Sequence, residues 1–288
     1  QTVFSAQAYG QNESYNTTKN TPKSGGVLSQ AMDYLSIKTS TPLTISTNGT
    51  SSAGIIINAG VHADLTFDNV NITAVVPVNI VTNNKGMNSW GRPLDANGNY
   101  VDADGNGIYD YLEDPTSLHL TLADGSVNTL RTTNWAHCPG IRCGEGSKLT
   151  IDDGRRNIDT DGVFVAPEQG RISRDAVLQD GTVVKEGDRL TLLDSEKPGT
   201  LYVYGGPRAA AIGGGGLETS GDMTFNGGNI IVRPYGENDS PNGAGAGIGG
   251  GHAGCGTTFT FNGGSIDSIA AYHSAGIGGG CTYGGGMS

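Results

Sequence analysis

Residues 102–113, a stretch rich in aspartate, asparagine and glycine, have the ligand spacing of a calcium-binding loop. Oxygen-bearing side chains stand at positions 1, 3, 5, 9 and 12, and Gly107 stands at position 6, where such loops turn sharply. The predicted ligands are Asp102, Asp104, Asn106, the backbone carbonyl of Ile108, Asp110 and Glu113. A hard cation takes about six to eight oxygen ligands, so we predict bound Ca²⁺ that stabilises an insertion. A polar turn without metal is the alternative.

A second group of carboxylates surrounds a predicted strand near residue 150. Its members are Glu145, Asp152, Asp153, Asp159 and Asp161. Paired carboxylates can serve glycoside hydrolysis as general acid and as nucleophile or base. Asp-Asp-Gly and Asp-Thr-Asp-Gly are also ordinary turn sequences. We therefore assign no catalytic residue and expect a non-enzyme, with a glycoside hydrolase that uses Asp152 and Asp159 as an alternative.

The chain has four cysteines, Cys138, Cys143, Cys255 and Cys281. An even number without Cys-X-X-Cys spacing favours two disulfide bonds over a zinc site. We predict the local pairs 138–143 and 255–281. The two other connectivities, and four unpaired cysteines in the core, stay open.

Two further groups of residues bear on carbohydrate. Five Asn-X-Ser/Thr sequences are possible glycan acceptors if the host glycosylates its surface proteins: Asn12, Asn16, Asn48, Asn71 and Asn238. Aromatic residues that could stack on sugars are Trp90, Trp135, Tyr202, Tyr204 and Tyr235. The alternative role for these aromatic side chains is to pack between strands and to anchor loops.

Composition limits the class of protein that carries these residues. Glycine supplies 48 of the 288 residues, yet there is no Gly-X-Y period and there are only 11 prolines, which excludes collagen. The net charge of −11 argues against nucleic acid as a partner. The longest apolar stretch, residues 72–81, is far shorter than the roughly 20 residues of a transmembrane helix. Because the chain starts at Gln1 without Met, we expect a processed, secreted product.

A repeat accounts for much of the glycine. Ala-Ala-Ile-Gly-Gly-Gly at 210–215 recurs as Ala-Gly-Ile-Gly-Gly-Gly at 246–251 and at 275–280. Thr-Phe-Asn-Gly-Gly at 224–228 recurs at 260–264, and weaker copies begin at Ala53 and at Pro139. Each unit reads as short strands bounded by glycine corners. A single unit cannot bury its apolar face alone, so the units must stack.

The pattern predicts an all-β fold, a right-handed parallel β-helix over residues 45–288, with a propeller as the alternative. We expect Ile212, Ile248 and Ile277 to form one inward ladder, and Phe225 and Phe261 another. Loop insertions are predicted at about 85–116, which holds the calcium loop, and at about 155–200. Residues 1–44 are predicted to form an arm with a capping helix at 24–38, where apolar residues follow helical spacing.

The C-terminal end is expected to differ from this capped end. By the spacing that follows Ile212 and Ile248, the next strand would start at about residue 288. We therefore expect either a continuing chain or a last turn that another molecule completes.

The phrases Ala-Gly-Ile-Gly-Gly-Gly, Thr-Phe-Asn-Gly-Gly and Leu-Thr-Leu-Ala-Asp-Gly-Ser-Val-Asn-Thr-Leu, at 120–130, resemble the glycine-rich β-helical repeats of large microbial secreted and cell-surface proteins. The resemblance covers most of residues 45–288 outside the two insertions. It implies an extracellular location and a solenoid, and proteins with such repeats are often labelled carbohydrate-binding. The motifs are specific for the type of repeat and poor guides to function.

We therefore expect a non-catalytic extracellular protein that assembles with itself into a cell-surface layer, sheath or filament. Calcium and disulfide bonds would stabilise it, and carbohydrate is a further candidate partner. The alternative is a carbohydrate-binding adhesin module, or the glycoside hydrolase described above.

Overall fold

The structure is a computed structural model that describes residues 4–8, 11–13, 18–20, 32–82, 115–133, 137–153, 167–168, 171–172, 174–177, 181, 183–188, 198–235, 245–271 and 273–280. These residues form strands, turns and loops, and no helix. Within the same ranges, therefore, nothing is a helix long and apolar enough to cross a membrane. The fold class is all-β.

Most strands belong to three sheets, named here sheets A, B and C. Sheet A contains, in spatial order, β2 (Gln11–Glu13), β1 (Phe4–Ala8), β5 (Leu43–Thr47), β7 (His62–Phe67), β10 (Thr116–Leu122), β13 (Ser147–Asp152), β20 (Asp222–Phe225) and β23 (Phe259–Phe261). Sheet B contains β3 (Thr18–Asn20), β4 (Met32–Ile37), β6 (Gly54–Ile57), β9 (Val78–Ile80), β12 (Ile141–Cys143), β19 (Ile212–Gly213), β22 (Ile248–Gly249) and β25 (Ile277–Gly278). Sheet C contains β8 (Asn71–Ala74), β11 (Val127–Thr132), β18 (Thr200–Tyr204), β21 (Asn229–Arg233) and β24 (Ser265–Ser268).

Two small hairpins stand apart from these sheets. They are β14 (Pro167–Glu168) with β15 (Arg171–Ile172), and β16 (Ala176–Val177) with β17 (Val183–Val184). Both fall within the insertion predicted at about 155–200. Ile172 is buried against Ala176 and Val184, so the two hairpins share a small apolar cluster.

From β6 onward the chain visits the three sheets in a fixed order, B then A then C. The strands β6, β7 and β8 form one such turn, and β19, β20 and β21 form a later one. Each strand from β4 onward in the three sheets pairs in parallel with its counterpart in the adjacent turn. This cyclic order with parallel pairing is consistent with a parallel β-helix or solenoid.

Paired strands point their side chains to the same face at each pair of opposite residues, so inward side chains of successive turns lie side by side. Each such row of inward side chains is called a lane. The lane of sheet B contains Leu35, Ile55, Val78, Ile141, Ile212, Ile248 and Ile277. A lane of sheet A contains Leu43, Leu65, Leu120, Ile151, Phe225 and Phe261. The predicted ladders of Ile212, Ile248 and Ile277 and of Phe225 with Phe261 are therefore confirmed. Buried residues from all three sheets form one core cluster.

Glycine is required on the outer side of the sheet B lane. Gly213 and Gly249 pair with each other next to the isoleucines and have φ of +132° and +133°. A Cβ on Gly213 would meet the backbone oxygen of Gly249. The backbone conformation and this close approach both exclude larger residues, which explains why the Ile-Gly pair recurs with the repeat.

A buried asparagine makes hydrogen bonds to the backbone where the chain passes from sheet A to sheet C. Asn128 is fully buried, and its Oδ1 accepts a hydrogen bond from the backbone N–H of Val70 at 2.8 Å. Its Nδ2 donates to the hydroxyl of Ser126 and to the carbonyl of Thr200. Because buried polar groups are costly when unpaired, this set of bonds links three consecutive turns.

The predicted capping helix at 24–38 is wrong over residues 32–37, which form strand β4; residues 21–31 lie outside the described part of the chain. The spacing of Leu35 suits a helix, but Leu35 and Ile37 also alternate as a strand requires. The neighbouring strand β6 decides between the two, because it offers backbone partners and places Ile55 and Ile57 beside these side chains. At this end, the antiparallel strands β1, β2 and β3 extend sheets A and B.

Candidate functional site

The predicted calcium loop lies outside the described residues, as do Asp159, Asp161, Trp90 and Trp135. Within the part of the chain that the structure describes, no group of three or more His, Cys, Asp or Glu side chains is placed to hold a metal ion. Calcium binding at 102–113 therefore stays a prediction.

Of the carboxylates near residue 150, Asp152 is buried. Asp152 ends strand β13 on the outer side of sheet A and is only 4% exposed. Its Oδ1 accepts a hydrogen bond from the backbone N–H of Asp153 at 2.8 Å. A carboxylate buried to this extent is not accessible to a saccharide.

The imidazole of His119 lies between two carboxylates on the outer face of sheet A. Its Nδ1 is 3.6 Å from Asp64 Oδ1, and its Nε2 is 3.8 Å from Asp152 Oδ2. The imidazole of β10 thus lies close to side chains of both neighbouring strands, β7 and β13. Sequence reasoning missed His119. The alternation in His119-Leu120-Thr121-Leu122 signals that it faces outward, but its neighbours depend on the register across an insertion.

The outer face of sheet C brings together two of the predicted sugar-stacking residues. Tyr202 and Tyr204 alternate with the buried Leu201 and Val203 on β18, so both tyrosines face outward. Tyr202 pairs with Thr129 and Ile231, and Tyr204 pairs with Arg131 and Arg233. Tyr235 follows β21, outside this set of paired strands.

The two arginines of this face are held in different ways. The guanidinium of Arg131 lies 3.5 Å from the ring centroid of Tyr204, a cation–π contact. Arg233 Nη2 donates to Asp267 Oδ2 at 2.7 Å, which ties β21 to β24. Sequence reasoning missed both arginines, because Arg131 and Tyr204 are 73 positions apart in the chain and only the register places them together.

The C-terminal end of the described stack exposes apolar side chains that are buried in every earlier turn. Phe225 is 2% exposed, whereas Phe261, its partner in the next turn, is 57% exposed. Ile248 is fully buried, whereas its partner Ile277 is 50% exposed. Strands β23, β24 and β25 are the last of their sheets among the described residues. The end therefore presents an apolar surface bordered by strand edges.

A buried ion pair marks the middle of the stack. Arg142 on β12 donates from Nε and Nη2 to the two carboxylate oxygens of Glu218, at 2.9 and 2.8 Å. Glu218 Oε2 also accepts a hydrogen bond from the backbone N–H of Gly215. The Glu218 charge raises the pKa of Arg142, and burial raises the pKa of the neighbouring Tyr34 to about 12. These groups join the turn before β20 to sheet B.

The three described cysteines are free, so the predicted 138–143 disulfide is not formed in this structure. Cys143 lies on β12 and is buried, and its Sγ is near the Ser147 hydroxyl at 3.4 Å. Because the Cys143 side chain points inward from the strand, its thiol lies in the core, which explains why it forms no disulfide bond with Cys138. Cys255 is exposed, and its predicted partner Cys281 lies outside the described residues.

The predicted glycan acceptors are only partly within the described region. Asn48 is exposed in the loop after β5, and Asn71 is half-buried on the outer face of sheet C. Asn71 Nδ2 donates to the Thr50 hydroxyl at 3.0 Å. Only the backbone of Asn12 is described, and Asn16 and Asn238 lie outside the described residues.

Comparison with protein-family models, with curated proteins and with solved structures finds no significant match. The interpretation of this chain therefore depends on its geometry and sequence pattern.

Proposed function

We propose that this protein is a non-catalytic structural protein of the microbial cell surface, built as a right-handed parallel β-helix that assembles end to end. The cyclic order of sheets B, A and C supports the β-helix, and parallel crossovers are right-handed in about 98% of cases. The apolar side chains and strand edges of the last described turn support the assembly, with a second copy of the chain as the occupant that we propose for this surface.

The assembly would join the C-terminal end of one copy to the N-terminal end of the next. Sheets A and B have outermost strands at both ends of the stack, β2 and β3 at one end and β23 and β25 at the other. Strand addition at such edges contributes backbone hydrogen bonds, and the apolar lanes contribute burial. A contact between two unlike ends is heterologous, and such a contact extends into a filament where its rotation does not close a ring.

Calcium has a supporting role in this proposal. Ligands at 102–113 would fix the insertion between β9 and β10, an expectation that rests on sequence alone. Calorimetric titration of the chain with Ca²⁺ tests it, with an Asp104→Ala variant as the control that should lose binding. The glycoside hydrolase alternative receives no support from Asp152, because its carboxylate is buried.

Sedimentation velocity over a range of concentrations tests the assembly. We expect the wild-type chain to form a series of growing oligomers, and Phe261→Asp to remain monomeric because a charge replaces the apolar side chain at the contact. Val127→Asp is the matched control, since Val127 is 54% exposed but lies on the outer face of sheet C. A wild-type chain that stays monomeric, or stops at a dimer, would contradict the proposal.

A further inference from the structure

The outer face of sheet C carries a compact cluster of aromatic and cationic side chains, named here the tyrosine–arginine platform. Its members are Arg131, Tyr202, Tyr204, Ile231 and Arg233. They belong to the adjacent strands β11, β18 and β21, and each alternates along its strand with buried residues of the core. The strands therefore present these side chains together on one face of the sheet.

The charge of this face differs from that of the rest of the chain. The whole chain has a net charge of −11, yet the platform carries two arginines, of which Arg233 pairs with Asp267 on the adjacent strand β24. Asp267 pairs with Arg233, and Arg131 makes no ion pair with a carboxylate in the described part of the chain. Arg131 is exposed, and stacking on Tyr204 fixes its planar guanidinium. The platform thus holds one unneutralised, pre-oriented cation beside aromatic rings.

The stacking of Arg131 on Tyr204 also determines how a ligand could be recognised. A fixed guanidinium presents its N–H groups in a fork that matches a carboxylate. Tyr202 lies on the same strand, two residues before Tyr204, and offers a half-exposed ring beside this fork. A ring with an apolar face and an acidic substituent would contact both groups at once.

We propose that the tyrosine–arginine platform binds an acidic polysaccharide, with a sugar ring against Tyr202 and a uronate carboxylate on Arg131. Neighbouring strands of the sheet are about 4.8 Å apart, so a chain lying across them meets Thr129, Tyr202 and Ile231 in turn. This ligand site goes beyond the end-to-end assembly and does not depend on it.

Calorimetric titration with an oligogalacturonate tests the site, and the methyl ester of the same oligosaccharide serves as the uncharged probe. EDTA is present, so that a calcium bridge cannot replace Arg131. The titrations are repeated in the Phe261→Asp background, which separates binding at sheet C from assembly at the end of the stack.

We expect the acid to bind about tenfold more tightly than its methyl ester, because the charge-assisted bond to Arg131 is lost in the ester. Arg131→Gln should abolish that difference, and Tyr202→Ala should weaken binding of both probes roughly tenfold. Lys148→Gln, which removes an exposed cation from the outer face of sheet A, should leave both affinities unchanged.

Three results would overturn the proposal: equal affinity for the acid and the ester, unchanged binding in Arg131→Gln, or no binding of either probe at millimolar concentration. A weakening by Lys148→Gln equal to that by Arg131→Gln would also overturn it, because the attraction would then reflect charge in general. Unchanged thermal unfolding of each variant establishes that the losses come from the platform.

Discussion

The two ends of the stacked strands differ in how they cover the core. At the N-terminal end, antiparallel strands β1 and β3 pair with β5 and β4, and the first lane residues, Leu43 and Leu35, are 4% and 2% exposed. At the C-terminal end of the described stack the same lanes finish at Phe261 and Ile277, which are 57% and 50% exposed. Among the described residues, the core is thus covered at the N-terminal end and more exposed to solvent in the last described turn.

This difference in exposure explains why the same residue types of the repeat stabilise the fold in inner turns but form a solvent-exposed surface in the last described turn. A lane residue contributes to stability only when turns on both sides of it remove its surface from water. In the last described turn the same residue types form a surface, and a surface of this kind favours association. The comparison makes definite predictions for pairs of matched positions.

The largest difference is expected between the two phenylalanines of one lane. Phe225→Ala should lower the free energy of unfolding by about 3–5 kcal/mol, because it leaves a cavity in the core. Phe261→Ala should cost about 1 kcal/mol or less in the monomer, because more than half of its side chain is already in water. Urea denaturation at low protein concentration measures both, and equal losses would contradict the difference between interior and end.

The next largest difference in stability is expected between an ion pair in the middle of the stack and one that joins the last two strands of sheet C. Arg142→Met leaves Glu218 without its cation in the middle of the stack, where the Glu218 side chain is 9% exposed, and should cost about 3 kcal/mol. Arg233→Met breaks the pair with Asp267, which is 64% exposed, and should cost below about 1 kcal/mol. Urea denaturation in low and high salt gives the comparison. A greater loss in Arg233→Met would show that the last turn is not the less tightly held one.

Two glycines of the sheet B lane provide a comparison of close backbone approach. A Cβ on Gly249 would meet the backbone of Gly278, whereas among the described residues a Cβ on Gly278 meets only the side chain of Ala275, at 3.2 Å. Both have positive φ, so alanine is strained at either position by about 1–3 kcal/mol. Gly249→Ala should therefore lower the thermal midpoint more than Gly278→Ala. Equal shifts would mean that the backbone conformation alone requires glycine.

The smallest effect is a loss of stability at alkaline pH. Burial raises the pKa of Cys143 from 9.0 to about 12 and that of Cys138 to about 11. The unfolded chain therefore ionises first, so this contribution is complete below pH 9 and is lost as the pH rises toward these values. The urea midpoint should therefore be lower at a pH between 9.0 and about 11 than at a pH below 9.0, and the difference should be smaller in Cys143→Ala. At the lower pH, iodoacetamide should modify the exposed Cys255 and spare Cys143 until the chain unfolds.

The repeat allowed much of the interior to be predicted. Ile212, Ile248 and Ile277 fall in one lane because each stands at the same place before a glycine corner. The helix predicted at 24–38 is wrong over residues 32–37 because Leu35 satisfies both the helical and the strand period, and only a neighbouring strand distinguishes them. The sequence predicted the tyrosines of the platform but not its arginines. Tyr202 and Tyr204 stand out in the sequence, but Arg131 joins them through a register that no local pattern contains.

Amide hydrogen exchange at low and high protein concentration tests the central claim most directly, because it reports whether the end strands gain hydrogen bonds. Peptides that cover β23 and β25 should become protected as concentration rises, while β13, which is paired on both sides within one copy, should not change. The same protection should be absent in Phe261→Asp. Exchange at β23 and β25 that is equally fast at all concentrations would contradict the account, since the open end would then bind no second copy.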